Sequence, residues 1–300
     1  MLTYLQAVVI GLLQGVTELF PVSSLGHSVL VPAWLGGSWA DLVTQGDAGN
    51  SEGSHYLTFI VALHVATAIA LLVFYAKDWV RIIGAFLTSV RARRIETSSQ
   101  RLAWLIVAAT VPVGITGLAL EHPLRTLFAK PLAAAIFLTV NGLILAGGEV
   151  LRRRAVAATK QGHTSGGVAI GTRRTLDNLE YKEAGVIGLF QTLALLAGIS
   201  RSGITMVGGL LRGLDHEDAA KFSFLLATPV ILAAGVLKLP TLAGPGGDGI
   251  LGQILLGAVV AGLAAYASVR FLTRYFTTRT LLPFAIYCLI AGIASVIRFA

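Results

Sequence analysis

The chain has 300 residues, of which 55% are hydrophobic and only 13% are charged, and its mean hydropathy is +0.78. This composition excludes an ordinary water-soluble globular domain and indicates an all-α polytopic membrane protein. The net charge of +8 comes from basic residues in loops between apolar runs, which argues against a nucleic-acid-binding function.

The first apolar run, within residues 1–30, is broken by polar residues, proline and glycine before it is long enough to cross a bilayer. A crossing helix needs about 20 apolar residues. Irregular backbone at membrane depth is tolerated only where it is buried in protein or lines a wet cavity. We therefore expect a re-entrant helical hairpin. No Lys or Arg precedes Lys77, so a cleaved signal peptide is not expected.

Six later runs are apolar and long enough to be transmembrane helices. They are residues 56–75, 102–120, 132–148, 222–237, 250–268 and 281–297. A second broken segment, residues 184–211, lies between the third run and the fourth. Hydropathy alone also allows each broken segment to pass straight through the membrane, which would give eight spans.

The two broken segments are related in sequence. Residues 7–27 align with residues 184–204 at a constant offset of 177, without a gap, and nine of the 21 positions are identical. The identical pairs include Gln14 with Gln191, Ser23 with Ser200, and Gly26 with Gly203. We interpret the chain as one membrane domain, 1–300, with repeat one at 1–154, a cytoplasmic linker at 155–182 and repeat two at 183–300.

The distribution of basic residues gives an orientation. Stretches 77–101, 152–182, 212–221 and 270–282, treated as loops, hold 18 of the 23 Lys and Arg residues. By the positive-inside rule these stretches are cytoplasmic, and 31–55, 121–131 and 238–249 are external. Three crossings per half invert the second half, so we predict an inverted-topology repeat whose broken helices meet near the midplane.

Three ionisable residues lie inside the broken segments, namely Glu18, His27 and Arg201. Such groups are costly at membrane depth and usually mark function, although Glu18 and Arg201 could also form a structural ion pair. Small polar residues surround them: Gln14, Ser23, Ser24, Ser200, Ser202, Gly203 and Thr205. Hydroxyl groups, glycine and a guanidinium group suit a phosphate ligand, particularly at helix N-termini.

Residues 14–27 and 198–205 resemble the two signature motifs of bacterial undecaprenyl-diphosphate phosphatases of the bacitracin-resistance type, and the likeness extends over nearly the whole chain. The resemblance implies hydrolysis of a polyprenyl diphosphate, the lipid carrier of cell-wall synthesis. It places the enzyme in the bacterial cytoplasmic membrane, among membrane lipids, with its site open to the external, periplasmic side. It also implies a divalent cation, Mg²⁺ or Ca²⁺.

Carried over to this chain, the acidic motif of the family falls on Gln14 and Glu18, the proposed nucleophile on Ser24, the histidine on His27 and the phosphate-binding arginine on Arg201. Two positions depart from the usual pattern: Leu25 replaces a small hydroxyl residue and Ala197 replaces a proline. Neither change removes a reacting group.

These residue types suggest roles. Arg201 and backbone N–H groups would hold phosphoryl oxygens, and Ser24 would attack with His27 as its base or as a proton donor. Glu18 would hold the cation, supported by Gln14 one turn away. Direct attack by a metal-bound water, with Ser24 only binding phosphate, stays open.

The other polar residues of the apolar runs receive structural interpretations. His64 is expected to be a hydrogen-bonded packing residue, Glu149 to extend beside the arginines that follow it, and residues 215–218 to start a helix rather than bind metal. Cys288, the single cysteine, is expected to pack in the core.

Two other functions compete with hydrolysis. Inverted repeats are typical of secondary transporters, so a flippase for a polyprenyl phosphate is the main alternative, and a non-enzymatic anion-binding scaffold is another. The sequence leaves open whether the protein is a monomer or a homodimer.

Overall fold

The computed structural model describes residues 2–44, 55–128, 130–160, 175–242 and 249–300. The regular structure in these ranges is helical. Their twelve α-helices, in chain order, are α1 (Tyr4–Thr17), α2 (Ser24–Leu35), α3 (Ala40–Thr44), α4 (His55–Phe74), α5 (Ala76–Ala92), α6 (Ser98–Phe128), α7 (Pro131–Lys160), α8 (Tyr181–Thr192), α9 (Arg201–Leu211), α10 (His216–Leu242), α11 (Leu251–Tyr275) and α12 (Leu282–Phe299).

Among the described residues, six helices are long and apolar enough to cross a membrane: α4, α6, α7, α10, α11 and α12. They coincide with the six predicted spans, so that prediction is confirmed. The helices on either side of each break are much shorter, at 14 and 12 residues for α1 and α2 and 12 and 11 residues for α8 and α9. None of these four reaches the length of about 20 residues that a crossing requires.

Both breaks end at a serine that caps the following helix. The side chain of Ser23 accepts a hydrogen bond from the backbone N–H of Gly26, and Ser200 accepts one from Gly203. Such caps satisfy N–H groups that have no partner within the helix. The serine and glycine pairs that are identical in the two repeats therefore have the same local role.

Close backbone contacts hold the short helices against the long ones. A Cβ atom at Gly11 of α1 would lie 2.6 Å from the carbonyl oxygen of Gly257 in α11, and one at Gly188 of α8 would lie 2.8 Å from the Cα atom of Ala109 in α6. Small residues at helix contacts are the usual means of close packing in membrane bundles. α7 and α12 also pack along each other.

Helix extends into several of the stretches that were expected to be loops. Residues 77–101 were expected to be a loop, but most of them form α5. The sequence analysis missed this helix because it is amphipathic, and its average hydropathy is too low for a transmembrane span. α7 also continues to Lys160, so helix extends into the first residues of the predicted linker 155–182. Residues 161–174 of that linker, and 45–54 and 243–248 of the external connections, lie outside the described residues.

Candidate active site

The two breaks lie against each other inside the bundle. The hydroxyl of Ser202 donates to the carbonyl oxygen of Phe20 at 3.2 Å, and the N–H of Gly198 donates to the hydroxyl of Ser23 at 3.1 Å. Gly198 has φ of +114°, and a Cβ atom there would lie 2.5 Å from the carbonyl oxygen of Ala134. The packing of this loop against α7 therefore requires glycine at this position.

A side chain from a long helix joins the same two loops. Asn141 of α7 donates through Nδ2 to the carbonyl oxygen of Pro21 at 3.0 Å and accepts through Oδ1 from the N–H of Ser200 at 2.9 Å. It is completely buried. Sequence analysis missed Asn141, although a lone amide within an apolar run was a possible signal.

Glu18, which caps the C-terminus of α1, is the centre of the site. Its Oε1 accepts from Nη2 of Arg201 at 2.8 Å. Its Oε2 accepts from the hydroxyl of Ser24 at 2.5 Å and from Nε2 of Gln14 at 3.1 Å. All four residues were predicted from sequence, and the structure brings them together around one buried carboxylate.

His64 is a fifth residue at this carboxylate. Its Nε2 lies 3.4 Å from Oε2 of Glu18, while its Nδ1 is 2.8 Å from the carbonyl oxygen of Ile60. The expected hydrogen bond of His64 is confirmed at Nδ1, but the expectation of a packing residue missed the contact of Nε2 with Glu18, because α4 turns the ring toward the site. Hydropathy does not reveal that rotation.

His27 is buried beside the site but is bonded to other partners. Its Nδ1 is 2.7 Å from the carbonyl oxygen of Ser23, and its Nε2 is 2.7 Å from the hydroxyl of Tyr287 in α12. A carbonyl oxygen can only accept, so Nδ1 carries the proton and Nε2 of the neutral ring accepts from Tyr287. Tyr287 is a further residue that sequence analysis missed as a site component.

The hydroxyls of the second loop are bonded to protein atoms. Ser200 caps the N–H of Gly203, Ser202 bonds Phe20, and Thr205 lies 2.7 Å from the carbonyl oxygen of Arg201. These bonds shape the N-terminus of α9. Ser24 and Arg201 are the first residues of α2 and α9, so two helix N-termini begin at the site, as the phosphate hypothesis expects.

Two buried polar atoms of the site have no hydrogen-bond partner among the described residues. They are Nη1 of Arg201 and Oε1 of Gln14. An unpaired buried donor is costly, and a guanidinium nitrogen is well suited to a phosphate oxygen. An amide oxygen beside a carboxylate is a suitable ligand for a hard cation such as Mg²⁺ or Ca²⁺.

A metal ion at this site would need ligands besides His, Cys, Asp and Glu side chains. Within the described ranges no group of three or more His, Cys, Asp and Glu side chains could hold a metal. The carboxylate of Glu18 and the amide oxygen of Gln14 fit a hard cation, whose remaining ligands would be substrate or water oxygens.

A separate buried polar cluster lies at the end of α7. Glu149 accepts from Arg153 at 3.1 Å and lies 2.8 Å from Nε2 of His216, the first residue of α10. The expected place of Glu149 beside the following arginines is confirmed by Arg153, but the carboxylate does not extend to the surface, because His216 pairs with it inside the protein. The interpretation of residues 215–218 as a helix start is confirmed, since Asp215 caps the N–H of Asp218.

Comparison with known proteins gives matches along the whole chain. The family described as bacitracin resistance protein BacA matches residues 7–294. The chain is 67% identical to undecaprenyl-diphosphatase 2 of Frankia alni and 58% identical to undecaprenyl-diphosphatase of Mycolicibacterium paratuberculosis, in each case over 100% of this chain and 98% of the relative. It is 43% identical to undecaprenyl-diphosphatase 2 of Chromobacterium violaceum over 98% of both chains.

Proposed function

This chain belongs to the bacitracin resistance protein BacA family, and we propose from that membership and from its site that it is a membrane undecaprenyl-diphosphatase. It hydrolyses undecaprenyl diphosphate to undecaprenyl phosphate and inorganic phosphate, and so returns the lipid carrier to cell-wall synthesis. The observation that carries the assignment is the buried cluster in which a hydroxyl, a carboxylate and a guanidinium are in direct contact.

We propose an inverted-topology repeat with two re-entrant hairpins. The shortness of α1, α2, α8 and α9 supports hairpins, and the matching serine caps support a repeat. The packing of the short helices also supports a repeat, because each packs on a long helix of the other half: α1 packs on α11, and its counterpart α8 packs on α6. With Lys and Arg concentrated on the cytoplasmic side, the first hairpin enters from the external side, where the site would open.

Arg201 is proposed to bind the terminal phosphoryl group. Its Nη2 is held by Glu18, which fixes the plane of the guanidinium, and its Nη1 is a buried donor without a partner in the described part of the chain. Binding a phosphoryl oxygen would satisfy Nη1 and stabilise the charge that the in-line displacement develops.

Ser24 is proposed as the nucleophile and Glu18 as the acceptor of its proton, because the hydroxyl donates to Oε2 at 2.5 Å. The Ser24 oxygen would form a bond to the terminal phosphorus while the bond to the bridging oxygen breaks and undecaprenyl phosphate leaves. Water would then cleave the phosphoserine, releasing inorganic phosphate and restoring the hydroxyl. Direct attack by water on the diphosphate is the competing route.

The geometry disfavours His27 as the base for Ser24. The Ser24 hydroxyl is bonded to Glu18, whereas the Nε2 of His27 is occupied by Tyr287. We propose that His27 holds the first turn of α2 through the carbonyl of Ser23 and orients the hydroxyl of Tyr287. The proton that Glu18 accepts from Ser24 would then pass to the departing phosphate.

We propose that Glu18 and Gln14 hold a divalent cation, Mg²⁺ or Ca²⁺. When bound, the ion would neutralise charge on the diphosphate oxygens. The buried amide oxygen of Gln14 supports this assignment. Titration of phosphate release with each cation after chelation tests it: we expect activity to return with one of them, and full activity in excess chelator would contradict it.

Phosphate release from purified, detergent-solubilised protein tests the function itself. Hydrolysis needs no sealed membrane, whereas a flippase requires two compartments. We expect inorganic phosphate to be released from undecaprenyl diphosphate in detergent. Absence of release with either cation, together with transfer of polyprenyl phosphate across sealed vesicles, would favour the transporter.

A further inference from the structure

The helix α5 carries an exposed apolar stripe. The stripe consists of Val80, Ile83, Leu87 and Val90, which are 74%, 51%, 61% and 49% exposed. Spacings of three, four and three residues place these side chains on one face of a helix. α5 also contains charged residues, and its 17 residues are too few to cross a bilayer as an apolar span.

A basic face adjoins the apolar stripe. Lys77 and Arg81, four residues apart, share one side of α5, and Arg91 lies at its border with the stripe. All three side chains are exposed. Arg81 pairs with Asp78 at 2.7 Å, whereas the stripe consists only of hydrocarbon side chains.

Contacts on the remaining side hold α5 against the transmembrane helices. Trp104 of α6 donates to the hydroxyl of Ser89 at 3.0 Å, and its ring lies 5.1 Å from that of Phe86. Asp78 is also 3.3 Å from the ammonium group of Lys221 in α10. Only Tyr75 separates α5 from the end of α4, so the helix lies at the end of a span.

We propose that α5 is an interfacial helix that binds the bilayer surface on the Lys- and Arg-rich side of the protein. The apolar stripe enters the boundary between head groups and acyl chains, and the basic face binds the phosphates of anionic phospholipids. Apolar and basic faces side by side at the end of a span complement a lipid interface.

Site-directed spin labelling of the full-length protein in lipid nanodiscs tests the location. Nitroxides at Val80→Cys and Leu87→Cys probe the stripe, Lys77→Cys is the matched control on the basic face, and unsubstituted protein gives the labelling blank for the buried Cys288. We expect the stripe labels to collide with oxygen more than with a water-soluble nickel chelate, and the control label to show the reverse. Equal nickel access at all three sites, or shielding of the stripe from both reagents, would overturn the proposal.

The head-group preference is tested by changing the lipid. Phosphatidylglycerol added to phosphatidylcholine nanodiscs should raise the oxygen-to-nickel ratio at Leu87→Cys, and the additional pair Lys77→Gln and Arg91→Gln should abolish that rise. An identical ratio in both lipids would overturn binding of anionic head groups. Neither experiment measures phosphate release, so their outcome is independent of the enzymatic assignment.

Discussion

At the scale of single residues, the carboxylate of Glu18 decides what the site can do. It has an arginine on one oxygen and a serine hydroxyl and a glutamine amide on the other. This is more than a structural ion pair, because the hydroxyl donates to the carboxylate over a short distance. The same oxygen that orients Ser24 can accept its proton.

Ser24 should become covalently phosphorylated during turnover. Rapid quenching of the reaction with terminally labelled undecaprenyl diphosphate is expected to trap labelled protein in the wild type and none in Ser24→Ala. Ser28→Ala is the matched control, since its hydroxyl donates to the carbonyl of Leu25 within the same helix. Wild-type protein that releases phosphate without trapped label would contradict an accumulating phosphoserine and favour direct attack by water.

His64 should matter for catalysis although it was expected only to pack. Replacing it with Leu removes the imidazole from Oε2 of Glu18, and we expect kcat to fall by about tenfold or more, as for other lost electrostatic partners in active sites. His55→Leu, at the start of the same helix, is the control. Unchanged kinetics in His64→Leu would return this residue to a packing role.

At the scale of elements, the site depends on two loops being held in one place by α7. Asn141 connects the two loops, since its side chain hydrogen-bonds Pro21 in one loop and Ser200 in the other. Asn141→Leu leaves a carbonyl and an N–H buried without these partners, at about 1–3 kcal/mol each. We expect a lower thermal unfolding midpoint and a lower kcat.

The matched control for that change is Thr139→Val in the same helix, because its hydroxyl donates to the carbonyl of Ala135 four residues before it. Activity in Asn141→Leu equal to that of Thr139→Val would show that the hydrogen bonds of Asn141 do not position the loops.

Gly198 is the second element-scale requirement. Gly198→Ala places a side chain at a positive φ and a Cβ atom 2.5 Å from the carbonyl oxygen of Ala134, so the loop must move away from α7. We expect loss of both stability and phosphate release. Gly185→Ala, where a Cβ meets none of the described residues within 4 Å, should be tolerated. A fully active Gly198→Ala would contradict the described contact.

The elements that could be predicted are those whose signal is local in sequence. Hydropathy is enough to find six spans, and the offset between the broken segments identifies Ser23 and Ser200 as equivalent positions. His64, Asn141 and Tyr287 could not be assigned to the site, because each is one polar residue in an apolar run and its direction depends on helix rotation. The apolar stripe of α5 did carry a signal, the helical spacing of its residues, but average hydropathy conceals it.

At the scale of the whole molecule, the central claim is that one phosphatase site is assembled from both halves of the chain. The first half contributes Gln14, Glu18, Ser24 and His27, and the second contributes Arg201 and Tyr287. The long helices bring these residues together, and each broken segment alone lacks either the nucleophile or the guanidinium. All of these residues come from one chain.

A double-mutant cycle on Glu18 and Arg201, with phosphate release measured in detergent, tests this claim most directly. We expect Glu18→Gln and Arg201→Gln each to lower kcat/KM by about 100-fold or more, and the double variant to lose little beyond the worse single variant, because the residues act as one unit. Normal release in either single variant, or losses that multiply in the double variant, would contradict a single shared site.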